Sequence, residues 1–344
     1  MDLDALAAKN APTACKGILL AVGMSGSVIF GVAIGSPAMS PFAAFGAMVG
    51  MQMAPRHGVV ARVCGALAGA LFLLLAASLS EAVGAYPLLA LLLLFILSWL
   101  AALPAKELAY LGFVAKFAAT AVLLSFFDFT PSLAMGLYFC GGILLGLLLS
   151  LANMAFEQEN QKSPLDQVRA LLHGDINNPW LSLTIPVTVV ISSLIAENLA
   201  YSNPAWVGLT VIFVANSEDS LELKRLFDRV AGTIAGTGLA YLLLISIHLP
   251  LQLALVVGVL AFFIPFALKH YSIFSLLITC IVLVLIDISM LGHGGDMRLL
   301  LWRCLDTILG CVCVLAANLI LKVIYWRRKR SGKNASPPDK AKAA

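Results

Sequence analysis

Long apolar runs separated by short polar breaks extend along most of the chain. Taking about 20 residues as one crossing of a bilayer, we place twelve segments, six on each side of a polar linker. The first six are 17–35, 37–54, 59–79, 86–103, 108–127 and 133–153. The second six are 180–196, 204–216, 230–247, 251–268, 271–286 and 299–325. The pattern predicts an all-α, polytopic membrane protein with about 12 transmembrane helices.

The composition agrees with this interpretation. Of the 344 residues, 61% are hydrophobic and 12% are charged, whereas soluble domains average about 25% charged residues. A soluble fold is therefore excluded, and the polar stretch between the halves is too short for a separate catalytic domain. The chain has no Walker loop, dinucleotide-binding fingerprint or Ser-His-Asp order. We therefore predict no enzymatic activity and no cofactor.

The positions of the basic residues predict the orientation, because Lys and Arg collect on the cytoplasmic side of membrane spans. With the N-terminus inside, all of the 22 Lys and Arg residues except Arg298 and Arg303 fall at cytoplasmic ends. Both termini are then cytoplasmic. The regions of Asn160 and Pro337 are expected inside the cell, and the loops at Glu81 and Gly294 outside.

These patterns divide the chain into four parts. Residues 1–155 are predicted to form one six-helix membrane repeat, and residues 180–326 a second. The linker 156–179 includes a short amphipathic helix after Ser163, where a Ser cap precedes Pro in the first turn. The basic tail 327–344 has too little apolar content to fold and is predicted to be disordered in the cytoplasm.

An internal repeat relates the two halves. Pro37 and Pro204 are 167 residues apart (204 − 37), and Arg62 and Arg229 have the same separation (229 − 62). A third copy of the Arg motif begins at Arg303. Because each half has an even number of spans, the two repeats are expected in parallel orientation, related by an axis along the membrane normal.

In each copy of the motif, a basic residue is followed by a small or acidic residue at i+3 and by Gly at i+7. This spacing places the three residues on one helix face. Small residues on such a face allow two helices to approach closely. We interpret the glycines as a helix-packing motif, which consists of Gly65, Gly69, Gly232, Gly236 and Gly310.

The Arg-x-x-Gly-Thr-x-x-Gly sequence of Arg229–Gly236, its relatives at Arg62–Gly69 and Arg303–Gly310, and the six-plus-six layout resemble the fusaric acid resistance and aromatic acid exporter family. Members of that family are inner-membrane efflux proteins for aromatic carboxylic acids, and plant relatives conduct malate. The resemblance implies a multi-pass protein of the bacterial inner membrane that works with a periplasmic adaptor of the membrane-fusion type. Longer members carry a large cytoplasmic domain between the halves, which this chain lacks.

Four basic residues are candidates for binding the substrate, because charges inside a membrane are costly and are usually functional. They are Lys116, Arg62, Arg229 and Arg303. For the first three, the alternative is a side chain that snorkels to the cytoplasmic headgroups. For Arg303, the alternative is an ion pair with Asp306 that only stabilises helix packing.

Three carboxylates are candidates for proton coupling. Asp306 lies three residues after Arg303, so protonation could replace their pairing. Asp128 and Asp287 end the fifth span of each half, where the alternative is a solvated helix end. The seven Cys and five His residues have no metal-ligand spacing, and we predict no metal site.

The leading hypothesis is a secondary transporter that exports small organic anions, in particular aromatic carboxylates, and that is driven by the proton gradient. Cations would bind the carboxylate, and Phe, Leu and Met side chains would contact the ring. The alternatives are an organic-anion channel on the same scaffold and a non-transporting membrane scaffold for envelope partners. The expected partners are the anion, membrane lipid and the adaptor, with no nucleic acid. A homo-oligomer is left open.

Overall fold

The protein is described by a computed structural model that covers residues 3–53, 58–83, 86–103, 108–127, 132–153, 163–173, 182–199, 203–215, 223–290 and 297–333. All regular secondary structure in these ranges is helical, with thirteen α-helices and one short 3-10 helix. The predicted all-α fold class is confirmed.

Within the described ranges, the first half contains six α-helices, and a seventh lies in the linker. They are α1 (Leu3–Ala33), α2 (Ser40–Met53, preceded by the 3-10 helix Pro37–Met39), α3 (Val59–Val83), α4 (Pro87–Ala102), α5 (Ala109–Phe127), α6 (Leu133–Ala152) and α7 (Pro164–His173). The described residues of the second half again contain six. They are α8 (Thr184–Asn198), α9 (Pro204–Val214), α10 (Leu223–Ser246), α11 (Pro250–Ala267), α12 (Tyr271–Ser289) and α13 (Met297–Lys333).

Eight of these helices are long and apolar enough to cross a membrane, namely α1, α3, α5, α6, α10, α11, α12 and α13. Between 28% and 56% of each apolar window is buried inside the protein, so apolar side chains also cover the outside, as lipid contact requires. The chain is a multi-pass membrane protein. The helices α2, α4, α8 and α9 have 14, 16, 15 and 11 residues, so twelve full crossings stay a prediction.

Every predicted segment coincides with a helix, but three boundaries differ by more than four residues. Helix α1 begins at Leu3 instead of residue 17, and α10 begins at Leu223 instead of residue 230. Helix α13 continues to Lys333, so the first part of the predicted disordered tail is helical. Hydropathy detects only the apolar part of a helix, whereas Lys, Arg and Ala also extend helices well in polar surroundings. Residues 334–344 lie outside the described residues.

The helix contacts of the two halves correspond to each other. Helix α2 packs along α6 and α9 along α13, while α3 packs on α5 and α10 on α12. Between the halves, α1 contacts α11 and α8 contacts α4, and likewise α2 contacts α12 and α9 contacts α5. Two related repeats would produce such a pattern. Their symmetry axis and their orientation in the membrane stay predictions, and Asn160, Gly294 and Pro337 lie outside the described residues.

Helices α2 and α6 approach each other so closely that several glycines have no room for a side chain. A Cβ atom on Gly46 would overlap the carbonyl oxygen of Phe139, and one on Gly142 would overlap that of Ala43. Because both obstacles are backbone atoms, they cannot move aside as a flexible side chain would. This interface therefore depends on glycine.

The glycines of the predicted packing motif also lie at helix contacts. A Cβ on Gly69 would meet Met53 and the Tyr110 hydroxyl, and the carbonyl of Gly65 accepts a 2.5 Å hydrogen bond from the same hydroxyl. On α10, a Cβ on Gly232 or Gly236 would meet backbone of α12. A Cβ on Gly310 would lie 2.8 Å from the Cβ of Thr210 on α9.

The linker helix α7 is present as its capping residues predict, since the Ser163 hydroxyl accepts a 3.2 Å hydrogen bond from the backbone N–H of Asp166. It packs against α5 through Gln167, which is buried. The Oε1 atom of Gln167 accepts hydrogen bonds from the backbone N–H groups of Tyr110 (3.1 Å) and Leu111 (3.3 Å). Gln167 therefore caps the first turn of α5, the helix that carries Lys116.

Candidate functional site

The short helix α9 lies at the centre of the candidate site. It begins at Pro204, and the side chain of its N-cap residue Asn203 makes no capping hydrogen bond. Most of α9 is buried, but Trp206, Leu209 and Phe213 are half-buried. Residues three and seven positions apart share one face of a helix. These three residues therefore form a stripe along α9, which we call the aromatic stripe.

A buried cation covers the first ring of the aromatic stripe. The guanidinium carbon of Arg303 lies 4.0 Å from the centroid of the Trp206 ring, which is a close cation–π contact. Arg303 is only 6% exposed, and its Nε and Nη1 atoms have no hydrogen-bond partner within the described residues. A buried charge usually has its donors satisfied, so these two atoms are available to an added acceptor.

Asp306 is buried close to Arg303. It is 1% exposed, and its negative charge interacts with the guanidinium group. The hydroxyl of Thr307 donates a 3.0 Å hydrogen bond to the carbonyl of Arg303, and Gly310 lets α13 pack closely on α9. Arg303 and Asp306 are therefore both buried in the protein interior.

A second cationic group lies at the other end of the aromatic stripe. The Phe213 ring contacts that of Phe117 with centroids 5.9 Å apart, and the neighbouring Lys116 is half-buried on α5. The charge of Lys116 is close enough to that of Arg225 for the two to repel each other. Arg225 lies over the Tyr271 ring, 4.9 Å from its centroid.

Arg229 lies between Arg303 at one end of the aromatic stripe and the pair Lys116 and Arg225 at the other. It follows Arg225 by four residues on α10, which places the two at adjoining positions on the helix surface. It is 5% exposed, and its charge is close enough to that of Arg303 for mutual repulsion. Four cations therefore form a row beside α9, in the order Lys116, Arg225, Arg229 and Arg303. We call this the cation row.

Of the four predicted substrate-binding residues, the structure brings together three, and Arg62 lies apart from them. Its Nη1 atom donates to the hydroxyl (2.9 Å) and the carbonyl (3.1 Å) of Ser150 on α6. Arg62 therefore joins two helices of the first half. Ala317 stands 167 residues after Ser150, so Arg229 has no equivalent hydroxyl to bind.

Of the two other candidate carboxylates, the structure describes Asp287, which lies outside the cation row. Asp287 is 6% exposed near the end of α12, so the alternative of a solvated helix end is wrong for this residue. Asp128 lies outside the described residues. Within the part of the chain that the structure covers, no three His, Cys, Asp or Glu side chains could hold a metal ion together.

Several residues of the site were not predicted, and Arg225 and Trp206 are the most important of them. Arg225 was assigned only to a cytoplasmic helix end, although its spacing of four residues from Arg229 already places both on one side of α10. Trp206 follows Pro204 in the shortest predicted span. An aromatic residue at the beginning of that short span could have indicated a site residue. Neither pattern, however, identifies the partner on another helix.

Comparison with known proteins supports the family resemblance. Residues 189–317 match the sequence model of the family described as fusaric acid resistance protein-like. No curated protein and no solved structure matches the chain. The matched range contains Trp206, Arg225, Arg229 and Arg303, whereas Lys116 precedes it. The predicted resemblance is thus confirmed over residues 189–317, where the chain is similar to fusaric acid resistance protein-like proteins.

Proposed function

We propose that the protein is a secondary transporter that exports small aromatic carboxylate anions across the bacterial inner membrane. The observation that carries this proposal is the cation row beside the aromatic stripe of α9. A carboxylate is an acceptor for guanidinium and ammonium donors. An aromatic ring of the same molecule would gain from contact with Trp206 or Phe213.

Repulsion within the cation row favours an anion. Lys116 repels Arg225, and Arg229 repels Arg303. A negative charge placed between two cations removes this repulsion and adds attraction to both. Because the four cations of the row lie beside α9 on α5, α10 and α13, an anion could pass from one cation to the next without leaving a positive environment.

The beginning of α9 adds to this positive environment. Helix N-termini carry a partial positive charge, and transporters often direct the ends of short helices at anionic groups. Trp206 lies in the first turn of α9, so its neighbour Arg303 is close to that end. A carboxylate at Nε and Nη1 of Arg303 would therefore interact with both the guanidinium group and the helix end.

In this proposal Asp306 couples transport to the proton gradient. Ionised Asp306 attracts Arg303 and competes with the substrate for it. Protonation of Asp306 would remove this competition, so substrate and proton binding would be linked. Cooperation with a periplasmic adaptor and the inner-membrane location are proposed from the family resemblance.

Transport into liposomes tests the proposal. The purified protein is reconstituted, and uptake of labelled benzoate is measured with and without a pH gradient. Cyclohexanecarboxylate has the same charge and a similar size but no aromatic ring. We expect its uptake to be at least fivefold slower than that of benzoate. Arg303→Gln should reduce benzoate transport by about tenfold or more, the effect of losing charge-assisted hydrogen bonds. Arg169→Gln, at a side chain that is 66% exposed on α7, is the control and should leave transport unchanged.

The same experiment separates the alternatives. A benzoate current that follows the anion gradient without proton movement would identify a channel. Unchanged adaptor binding with no benzoate movement under any gradient would instead favour a scaffold.

A further inference from the structure

Helix α10 carries a row of four polar side chains spaced by four residues. They are Arg225, Arg229, Thr233 and Thr237. A spacing of four places each residue next to the preceding one on the helix surface. At 1.5 Å per residue the row extends over about 18 Å, which is more than half of the roughly 30 Å hydrocarbon core of a bilayer.

All four members have a buried donor atom with no hydrogen-bond partner among the described residues. These atoms are Nε of Arg225 and Arg229 and the hydroxyls of Thr233 and Thr237. Thr233 is fully buried, and Thr237 is 8% exposed. A buried polar atom without a partner is unfavourable, so these four donors are available to an acceptor from outside the described residues.

The two threonines differ from other threonines in the same bundle. A helical Thr can donate to the carbonyl four residues earlier, and Thr188, Thr210 and Thr307 do so at 2.7, 3.0 and 3.0 Å. The carbonyl of Arg229, which Thr233 would use, accepts a 3.3 Å hydrogen bond from Ser275. The Thr233 hydroxyl therefore lacks this hydrogen bond, and the Thr237 hydroxyl also has no partner among the described residues.

A third hydroxyl joins the row from α12. The Cβ of Thr279 lies 3.0 Å from where a Cβ on Gly236 would stand, so the glycine brings the two helices together at this level. Thr279 is 1% exposed, and its hydroxyl also has no partner in the described ranges. The hydroxyls of Thr233, Thr237 and Thr279 thus extend the cation row from Arg229 into the bundle.

We propose that these hydroxyls form the translocation path of the transported anion beyond the cation row. Arg225 and Arg229 would attract the carboxylate, and the three neutral hydroxyls would then donate to its oxygens as it moves along α10. Neutral donors suit this step, because a path must bind an ion firmly enough to admit it and weakly enough to release it. The inference takes its substrate from the proposed function and adds the path.

Cysteine accessibility tests the path without any transported substrate. Thr233→Cys and Thr237→Cys are introduced singly after the seven native cysteines are replaced by Ala, and each protein is treated with anionic or cationic ethyl-thiosulfonate reagents of similar size. We expect the anionic reagent to modify both positions at least tenfold faster than the cationic one. Ile234→Cys is the matched control, since Ile234 is 52% exposed on the outer side of the same helix and should react with neither.

A second measurement uses the native cysteine background. Thr233→Val removes the hydroxyl at nearly constant volume, and Thr233→Ser retains it. In the double variants at Thr233 and Thr237, Val should slow maximal benzoate transport at least fivefold with little change in KM, while Ser should restore it. A structural role alone would lower the melting temperature and leave the maximal rate of the folded protein unchanged.

The outcomes distinguish this inference from the proposed function. If both positions react selectively with the anionic reagent in a protein that transports no benzoate, the proposed path is supported and the proposed substrate is refuted. If the protein transports benzoate but the two positions are unreactive, or react equally with both reagents, the proposed path is overturned and the proposed substrate is supported. Full transport by the double Val variant would also overturn the path.

Discussion

The guanidinium carbon of Arg303 on α13 lies 4.0 Å from the centroid of the Trp206 ring on α9. The two residues are far apart in the sequence, and their contact joins the last helix to the shortest one. It places a buried cation on an aromatic face at the end of the aromatic stripe. The contact thereby combines, at one point, the two groups that an aromatic carboxylate requires.

Replacing Trp206 tests this contact. Trp206→Leu leaves Arg303 without its aromatic partner. We expect the free energy of unfolding to fall by about 2 kcal/mol, the value of a desolvated cation–π contact. Trp206→Phe keeps a ring and should lose about half as much. Thermal unfolding in detergent measures the difference, and a Leu variant as stable as the Phe variant would contradict the role of the ring.

Asp306→Asn separates coupling from packing. If Asp306 couples protons, the variant should lose pH-driven export while it still binds benzoate, because the amide of Asn does not gain or lose a proton at physiological pH. A purely structural pair would instead lose yield and melting temperature. Benzoate binding and proton-driven uptake are measured on the same preparation. Undiminished proton-driven transport by a well-folded variant would exclude the coupling role.

Arg62 and Arg229 occupy equivalent positions in the sequence repeat but should respond differently to the same substitution. Arg62→Gln loses the hydrogen bonds to Ser150 and should destabilise the protein by about 1.5 to 3 kcal/mol. Arg229→Gln should mainly slow benzoate transport. Melting temperature and transport rate are compared for both variants. Equal effects on both quantities would show that the two residues share one role.

Two neighbouring glycines on α6 form a matched pair for the packing of α2. Gly142→Ala would overlap the backbone of Ala43 and should cost about 1 to 3 kcal/mol. A Cβ on Gly141 meets nothing within 4 Å, so Gly141→Ala should stabilise the helix by about 0.5 to 1 kcal/mol. Melting temperatures should therefore move in opposite directions, and a common direction would contradict the described interface.

Gln167 is expected to hold the first turn of α5 through its carbonyl oxygen. Gln167→Leu removes the acceptor and should cost about 1 to 2 kcal/mol, as for a lost helix cap. Gln167→Glu keeps an acceptor and places negative charge at a helix N-terminus, which is favourable. Hydrogen exchange at Tyr110 and Leu111 measures the change. Equal protection in the Leu and Glu variants would contradict the cap.

Much of the fold was determined locally by the sequence. A helix inside a membrane needs only a long enough apolar run, because its backbone hydrogen bonds close within the segment. The predicted segments therefore coincide with helices, and Ser163 and Pro164 similarly predicted the beginning of α7. The i, i+3, i+7 spacing also predicted that Arg62, Arg229 and Arg303 would each share one helix face with their glycines, since that relationship depends only on helix geometry.

The composition of the candidate site was decided by the tertiary structure. Lys116 approaches Arg225, Arg303 covers Trp206 and Arg62 binds Ser150 because of the way separate helices pack. The availability of the Thr233 hydroxyl likewise depends on Ser275 from another helix, which donates to the carbonyl that Thr233 would otherwise use. Such contacts join residues distant in the sequence, and no local spacing encodes them. The sequence therefore determined which charges enter the membrane, whereas helix packing decided which of them lie together.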